Sequence, residues 1–450
     1  MTISSFLARI RHAPGMVRWF NALRILLRKE PLHDQAERNI WYLYVEVFWA
    51  ALLSAAAAFN ATFAVRLGAS NTMIGWLSSI PSLFAVLLLI PSARFLETKS
   101  DRAPWIWGSL FIARLGYGLL AVLPWLIARS QAQSVVWLLI AISIPSTVFS
   151  AGFSPLMADL IPERDRARVF ANRSIIVSAT VAILTLAAGR WLERATQIPW
   201  AAFPANYQVM YIVGFFGAVV SSAYLLKVKV PESRVIQRKP RFRTAKPTVA
   251  QVKAMFAENR DFVRITVNTL IFNFGAWLVG PLYVLFFVRE LKASDGWIGL
   301  NSTLANVGVI VGYALWRRWI HKLGYQRALL IAIPMAASYA FLVSLFPNLT
   351  AILCWGVLIN LVNPGVDLSH YNILLKLCPD DRRASYLAIY ASVMNAGAFI
   401  GPVIGVALSE VWDIRLVLLI GGGIRLAGAM LFHVFRIGTR GVSIPQRAES

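Results

Sequence analysis

Twelve long apolar runs separated by polar connections constrain this 450-residue chain more than any other feature. They fall roughly at 40–65, 72–94, 104–128, 134–158, 172–193, 207–227, 262–288, 297–317, 327–347, 350–375, 384–409 and 415–436. About 20 apolar residues suffice to cross a bilayer as a helix. In hydrocarbon, only structures that satisfy their own backbone hydrogen bonds persist. The runs therefore predict an all-α polytopic membrane protein with twelve transmembrane helices, and an internal repeat divides them into two six-helix bundles. Composition agrees, with 58% apolar and 14% charged residues and a mean hydropathy of +0.62. Cys354 lies within an apolar run and Cys378 at a run end, so no disulfide framework is implied. No GxxxxGK[ST] or HExxH is present, and no cofactor or metal is expected.

Five stretches follow from these runs: a basic N-terminal segment (1–39), a first bundle (40–227), a basic linker (228–261), a second bundle (262–436) and a tail (437–450). Met16–Lys29 has the pattern of an amphipathic helix, suited to a lipid surface or to packing on the protein's own loops. In the linker, Thr248 and Gln251 stand at capping-box spacing, which predicts a loop followed by a cytoplasmic helix. Of the 44 Lys and Arg, 35 fall on one alternating side of the runs and 7 on the other. The positive-inside rule then places both termini and the linker in the cytoplasm of a plasma (inner) membrane protein. The same distribution accounts for the net charge of +23 through a lipid bilayer, with no nucleic acid as partner.

The halves repeat. LIPERDRARVFA (160–171) aligns without gaps on LCPDDRRASYLA (377–388) at an offset of 217, and ASNTMIGWLSS (69–79) aligns on ASDGWIGLNST (293–303) at 224. Within the tenth run, Asn360, Asn363, Asp367, His370 and Tyr371 recur at helical spacing and fall on one face. Offset 217 maps Ser143, Ser146, Ser150 and Ser154 onto Asn360, Asn363, Asp367 and Tyr371. Polar groups at membrane depth face a bundle interior or a watery cavity rather than lipid.

Six plus six helices, a long basic central loop and cytoplasmic termini resemble the major facilitator superfamily over about residues 38–437. The second-to-third connection, FLETKSDRAPWIW, keeps Asp101 and Arg102 of that family's loop motif but has Pro104 where Gly is usual. Its counterpart, RRWIHKLGYQR, keeps Lys322, Gly324 and Arg327 and has His321 where the acid would stand. Gly397, Gly401, Pro402 and Gly405 are similar to the family's Gly-Pro motif, although the eleventh run carries them rather than the fifth. The resemblance implies alternating access around a central cavity lined by the first, fourth, seventh and tenth segments. Those segments supply Trp49, Asn60, Asn273 and Trp277 besides the serines and the Asn360–Tyr371 face.

Each candidate carries two readings. Asp367, about 13 Å along the helix from Lys376, is a proton carrier or countercharge for a cationic solute, or else a structural partner of His370 or of a helix break at Pro364–Gly365. Burial of a carboxyl disfavours its charged form, which is what a proton site needs. Glu46 is a second proton site or a partner of Arg114. His370 relays protons or is a satisfied hydrogen-bonding group. Arg114 and Arg425 remain charged at membrane depth and need partners; ion pairs are the simpler account of both. Asp101, Arg102, Glu163, Arg166, Asp380 and Arg383 sit at cytoplasmic helix ends, as gate pairs or as topology-setting charge. The chain is expected to be a monomeric secondary transporter of a small solute, coupled to protons, and not an enzyme. A uniporter and a non-transporting scaffold or receptor on the same fold are the alternatives.

Overall fold

The computed structural model describes residues 34–99, 101–127, 129–229, 257–379 and 382–435. The N-terminal amphipathic stretch, nearly all of the linker and the tail lie outside these residues, as does Asp380 of the gate candidates. Every long described element is a helix: α1 (Gln35–Ala57), α2 (Asn60–Arg66), α3 (Asn71–Glu97), α4 (Ala103–Leu126), α5 (Gln131–Leu160), α6 (Glu163–Ala195), α7 (Ala205–Leu225), α8 (Arg260–Leu285), α9 (Asp295–Ala337), α10 (Tyr339–Leu345), α11 (Leu349–Leu377), α12 (Arg383–Val411) and α13 (Ile414–Phe435). Eleven helical stretches among the described residues are long and apolar enough to cross a membrane. One of them, Asp295–Leu345, is 51 residues long and contains both the eighth and ninth apolar runs. The break between them is Gly324, whose φ of 77° leaves the helical region and favours a residue without Cβ.

Polar side chains mark the helix starts. Asn259 accepts from the Phe262 amide at 2.9 Å and opens α8. Asn348 accepts from the amides of Thr350 and Ala351 at 2.8 and 3.3 Å and opens α11. Asp101 accepts from the Ala103 amide at 3.0 Å, just ahead of Pro104 in the first turn of α4. These acceptors satisfy amide groups that have no partner inside their own helix.

By contacts the described residues divide into two compact units, 34–69 with 87–229 and 294–303, and 70–86 with 257–293 and 304–435. In the first, α1 packs on α6 and α7, and α4 packs on α5 and α7. Its core includes Leu43, Val47, Ile106, Leu156, Met157 and Val169. Asn39 fastens the start of α1 to the end of α7, donating to the Lys229 carbonyl at 2.8 Å and accepting from the Lys229 amide at 3.2 Å. In the second unit α8 packs on α12 and α13 around Phe262, Phe272, Trp316, Ile333, Tyr386 and Phe432.

Each unit takes a stretch from the other half of the chain, and the two stretches are the repeat at offset 224. In the first unit, Asp295 pairs with Arg66 at 3.2 Å. A Cβ on Gly189 would stand 2.9 Å from the Gly299 Cα, and one on Gly296 would stand 2.0 Å from the Glu193 carboxylate. In the second unit, Asn71 accepts from Arg289, Thr72 donates to Glu410 at 2.5 Å, and a Cβ on Gly75 would stand 2.9 Å from a Val406 methyl. Offset 224 relates Asn71, Thr72 and Gly75 to Asp295, Gly296 and Gly299; offset 217 relates Gly189 and Glu193 to Val406 and Glu410. The sequence repeat is thus also a repeat of contacts.

Candidate functional site

Among the described residues each unit holds a cluster of charged and polar side chains between its apolar helices, and the two differ in kind. In the first, Glu46, Arg114 and Arg173 are buried at 5%, 5% and 9% exposure. Glu46 Oε1 receives Arg114 Nη2 at 3.3 Å and the Ser221 hydroxyl at 3.0 Å. Its Oε2 lies 3.0 Å from Arg173 Nη2, close enough for charge attraction although the geometry is not that of a hydrogen bond. Arg114 also donates to Ser222 at 2.6 Å and Ser221 at 2.9 Å, and Arg173 donates to the Leu43 carbonyl at 2.6 Å. One carboxylate thereby holds two guanidinium groups, and α1, α4, α6 and α7 meet around it. Ion pairs in contact with their remaining donors satisfied are the arrangement that buried charge requires.

The second unit's cluster surrounds open space instead. A cavity of about 380 Å³ lies among α8, α9, α11, α12 and α13, lined by Thr269, Asn273, Asn363, Asp367, His370 and Arg425, with Phe272, Ile333, Val366, Tyr390 and Phe432 completing the wall. Asp367 is exposed, whereas Arg425 and His370 are half-buried. His370 Nε2 is 2.7 Å from the Thr269 hydroxyl, and its ring centroid is 5.9 Å from that of Tyr390. The Arg425 guanidinium sits over the Phe272 ring at 4.6 Å, and its Nε is inaccessible and without a hydrogen-bond partner. Asp367 and Arg425 attract each other across the cavity but are not in ion-pair contact.

Offset 217 relates Phe153 and Arg173 to His370 and Tyr390. Both pairs are in contact, Arg173 over the Phe153 ring at 5.6 Å and the His370–Tyr390 rings as above. Arg173, part of the closed charge cluster of one unit, thus corresponds to Tyr390, which lines the cavity of the other.

The structure brings together Asp367, His370, Asn363, Asn273 and Arg425 from the residues singled out in the sequence. It does not bring the rest there. At about 100° per residue, the cavity face of α11 is centred on Asn363 and His370, which leaves Asn360 and Tyr371 at its margin. Asn360 donates to the Gly356 carbonyl at 2.8 Å, and Tyr371 is 56% exposed. Trp277 packs against Gly397 and Gly401, where a Cβ would meet it at 2.7 and 2.9 Å. Trp49 meets Phe216 edge-on at 6.1 Å. Asn60 joins Tyr117 and Tyr211 at 3.1 and 2.9 Å. Ser143, Ser146 and Ser150 donate to carbonyls of their own helix at 2.5, 2.8 and 2.9 Å, and Ser154 is exposed. Among the gate candidates, Arg102 pairs with Asp159 at 2.5 Å, Arg166 donates to the carbonyls of Ala158 and Ile161, and Glu163 is exposed.

Thr269, Tyr390 and Arg173 were not singled out in the sequence. Thr269 stands one turn before Asn273 on α8, and that spacing carried the signal. Among the described residues no group of three His, Cys, Asp or Glu side chains converges as metal ligands would.

The sequence model of the Major Facilitator Superfamily matches residues 40–263 and 265–449. The chain belongs to that superfamily. It is accordingly a multi-pass membrane protein and a secondary transporter, and not an enzyme. Solved superfamily structures share the fold at low identity. A bacterial homologue of the human lysosomal transporter Spinster, inward-facing and unoccupied, is 15% identical with a TM-score of 0.64, covering 90% of this chain and 97% of that one. The nucleoside transporter NupG is 12% identical with a TM-score of 0.66, at 88% and 99% coverage. The xylose transporter XylE from E. coli, inward open, is 13% identical with a TM-score of 0.60, at 90% and 96% coverage. No curated protein matches this superfamily member's sequence.

Proposed function

We propose that this transporter binds its solute in the second-unit cavity and carries it across the plasma membrane by alternating access. The observation that carries this reading is the cavity itself. Two oppositely charged side chains, two amides and an imidazole converge there on open space without closing it. A concave site with a few convergent polar groups on an apolar wall is the ordinary form of a small-molecule site. Burying such groups in a membrane protein for packing alone is costly, as the fully paired first-unit cluster illustrates by contrast.

Several further assignments belong to the same reading. The Lys and Arg distribution supports cytoplasmic termini. Asp367, accessible in the cavity and without an ion-pair contact among the described residues, is the proton site of a proton-coupled cycle. A structural relative of this chain is described as a D-xylose-proton symporter, which supports coupling of this kind on this fold. Glu46, held by two arginines, serves the first unit's architecture. Arg102 with Asp159 fixes the cytoplasmic end of α4 as part of the inward gate.

The test is thermal unfolding of purified protein in detergent against a library of small solutes, at two pH values, for wild type and Asp367→Asn. Ligands that bind the folded state raise Tm by mass action. A pH-dependent shift that disappears in Asp367→Asn is expected. A shift of equal size in the variant contradicts the assignment of Asp367 as the proton site. A uniporter predicts ligand binding without the pH dependence, and a scaffold predicts none.

A further inference from the structure

The charges in the second-unit cavity specify a ligand more narrowly than its size does. Arg425 stays protonated in any protein environment. Its partners among the described residues are the Phe272 ring face at 4.6 Å and the electrostatic attraction of Tyr283 and Asp367. None of these supplies hydrogen bonds to the guanidinium, and Nε has no acceptor. Asp367 is in the complementary position, a carboxylate facing the same space with no donor in contact.

Were the pair there for architecture, contact would be the favourable arrangement, because attraction at short range is what offsets desolvation. The first unit shows that arrangement in its own charged cluster, with Glu46 and two arginines touching. In the second unit, cavity separates the two charges. A solute carrying only an anionic group would satisfy Arg425 and suffer repulsion from Asp367. One carrying only a cation would meet the reverse. A solute with both satisfies both, and any other is disfavoured by the group it leaves unpaired.

Resting on the reading of this cavity as the solute site, we propose that its solute is a small zwitterion of the amino-acid type. The anionic group sits on Arg425, the ammonium on Asp367, and the amides of Asn273 and Asn363 fix the orientation. Phe272, Ile333, Val366 and Phe432 provide an apolar wall for an aliphatic or aromatic side chain. A volume of about 380 Å³ is at the lower end for ligand pockets, which favours a single amino acid over a peptide.

The experiment is a thermal-shift and equilibrium-binding series on the full-length protein in detergent. The probes are free α- and ω-amino acids, the same compounds as carboxamides (cation only), the same compounds N-acetylated (anion only), and glucose. The expected result is a rise of about 2–4 °C or more with at least one free amino acid near saturation. Its carboxamide and N-acetyl forms should bind at least tenfold more weakly. Asp367→Asn should lose the preference for the free ammonium over the N-acetyl form. Arg425→Gln should lose the preference for the free carboxylate over the carboxamide, with Arg425→Lys as a charge-retaining variant in case the first does not fold. Three results overturn the zwitterion: an N-acetyl or carboxamide probe that binds as well as its parent, a shift with glucose alone, or no shift with any amino acid. The cavity assignment fails separately, if a ligand shift is unchanged in Asp367→Asn and also in Asn363→Phe, which fills the cavity.

Discussion

At the scale of single residues, the same chemical groups do different work depending on what touches them. Glu46 and Asp367 are both carboxylates in apolar helices, yet Glu46 is 5% exposed and gripped by two guanidinium groups whereas Asp367 faces open space. Glu46→Gln leaves Arg114 and Arg173 buried without their countercharge. Breaking a buried pair in this way costs about 3–5 kcal/mol, so a clear fall in Tm is expected in detergent, with solute affinity retained in the folded fraction. Unchanged stability would contradict the structural role of the cluster. Asp367→Asn should do the reverse, leaving Tm within a degree or two and weakening ligand binding. The sign of the pH effect follows from the chemistry. An ammonium binds the ionised carboxylate, so affinity should weaken as pH falls through the Asp367 titration, and Asp367→Asn should flatten that profile. The sequence revealed Asn363, Asp367 and His370 because polar residues at spacings of three and four in an apolar run stand out. Thr269 and Tyr390 did not stand out, since nothing along the chain states that α8 and α12 turn those faces toward α11.

At the scale of elements, the helices were legible because their length is set by the bilayer and their composition by hydrocarbon. Their junctions were less so. The KLGYQR connection, read as a loop between two runs, continues as helix on both sides of Gly324, and a single positive φ makes the bend. The glycines of α12 act by absence of a side chain. A Cβ at Gly405 would lie 1.9 Å from the Leu278 carbonyl oxygen, and at Gly401 it would lie 2.9 Å from Trp277 Cβ. Gly405→Ala therefore forces α12 away from α8, and overpacking of this kind costs about 1–3 kcal/mol. Since α8 and α12 both line the cavity, thermal unfolding and ligand affinity should deteriorate together. An alanine variant with native Tm would contradict this close packing of α8 and α12. Trp277, which the sequence offered as a cavity residue, packs on two of those glycines, Gly397 and Gly401.

At the scale of the whole molecule, the repeat is the organising fact. It appears as two sequence matches and again as the paired contacts of Asn71, Thr72 and Gly75 on one side and Asp295, Gly296 and Gly299 on the other. The matches were visible from residue identities, but their partners, Glu193 and Glu410 among them, were not, because packing rather than sequence similarity selects them. Topology can be tested at this scale by thiol labelling in intact cells, in a background with Cys354 and Cys378 replaced by Ser. Ser130→Cys should react with a membrane-impermeant reagent from outside, and Arg238→Cys should react once the membrane is opened. The opposite pattern would invert the orientation drawn from the 35 and 7 basic residues.

Solute counterflow in proteoliposomes decides whether this secondary transporter binds its solute in the second-unit cavity. Vesicles are preloaded with an unlabelled amino acid that shifts Tm, and uptake of the labelled compound is followed without any imposed gradient. Transient accumulation is expected with wild type, with loss of it in Asp367→Asn and in the cavity-filling Asn363→Phe, and retention in Ser150→Ala, which removes a hydroxyl bonded to its own helix. Counterflow of wild-type size through the Asn363→Phe protein would contradict binding there, because the solute would then be crossing by a route that does not use this cavity.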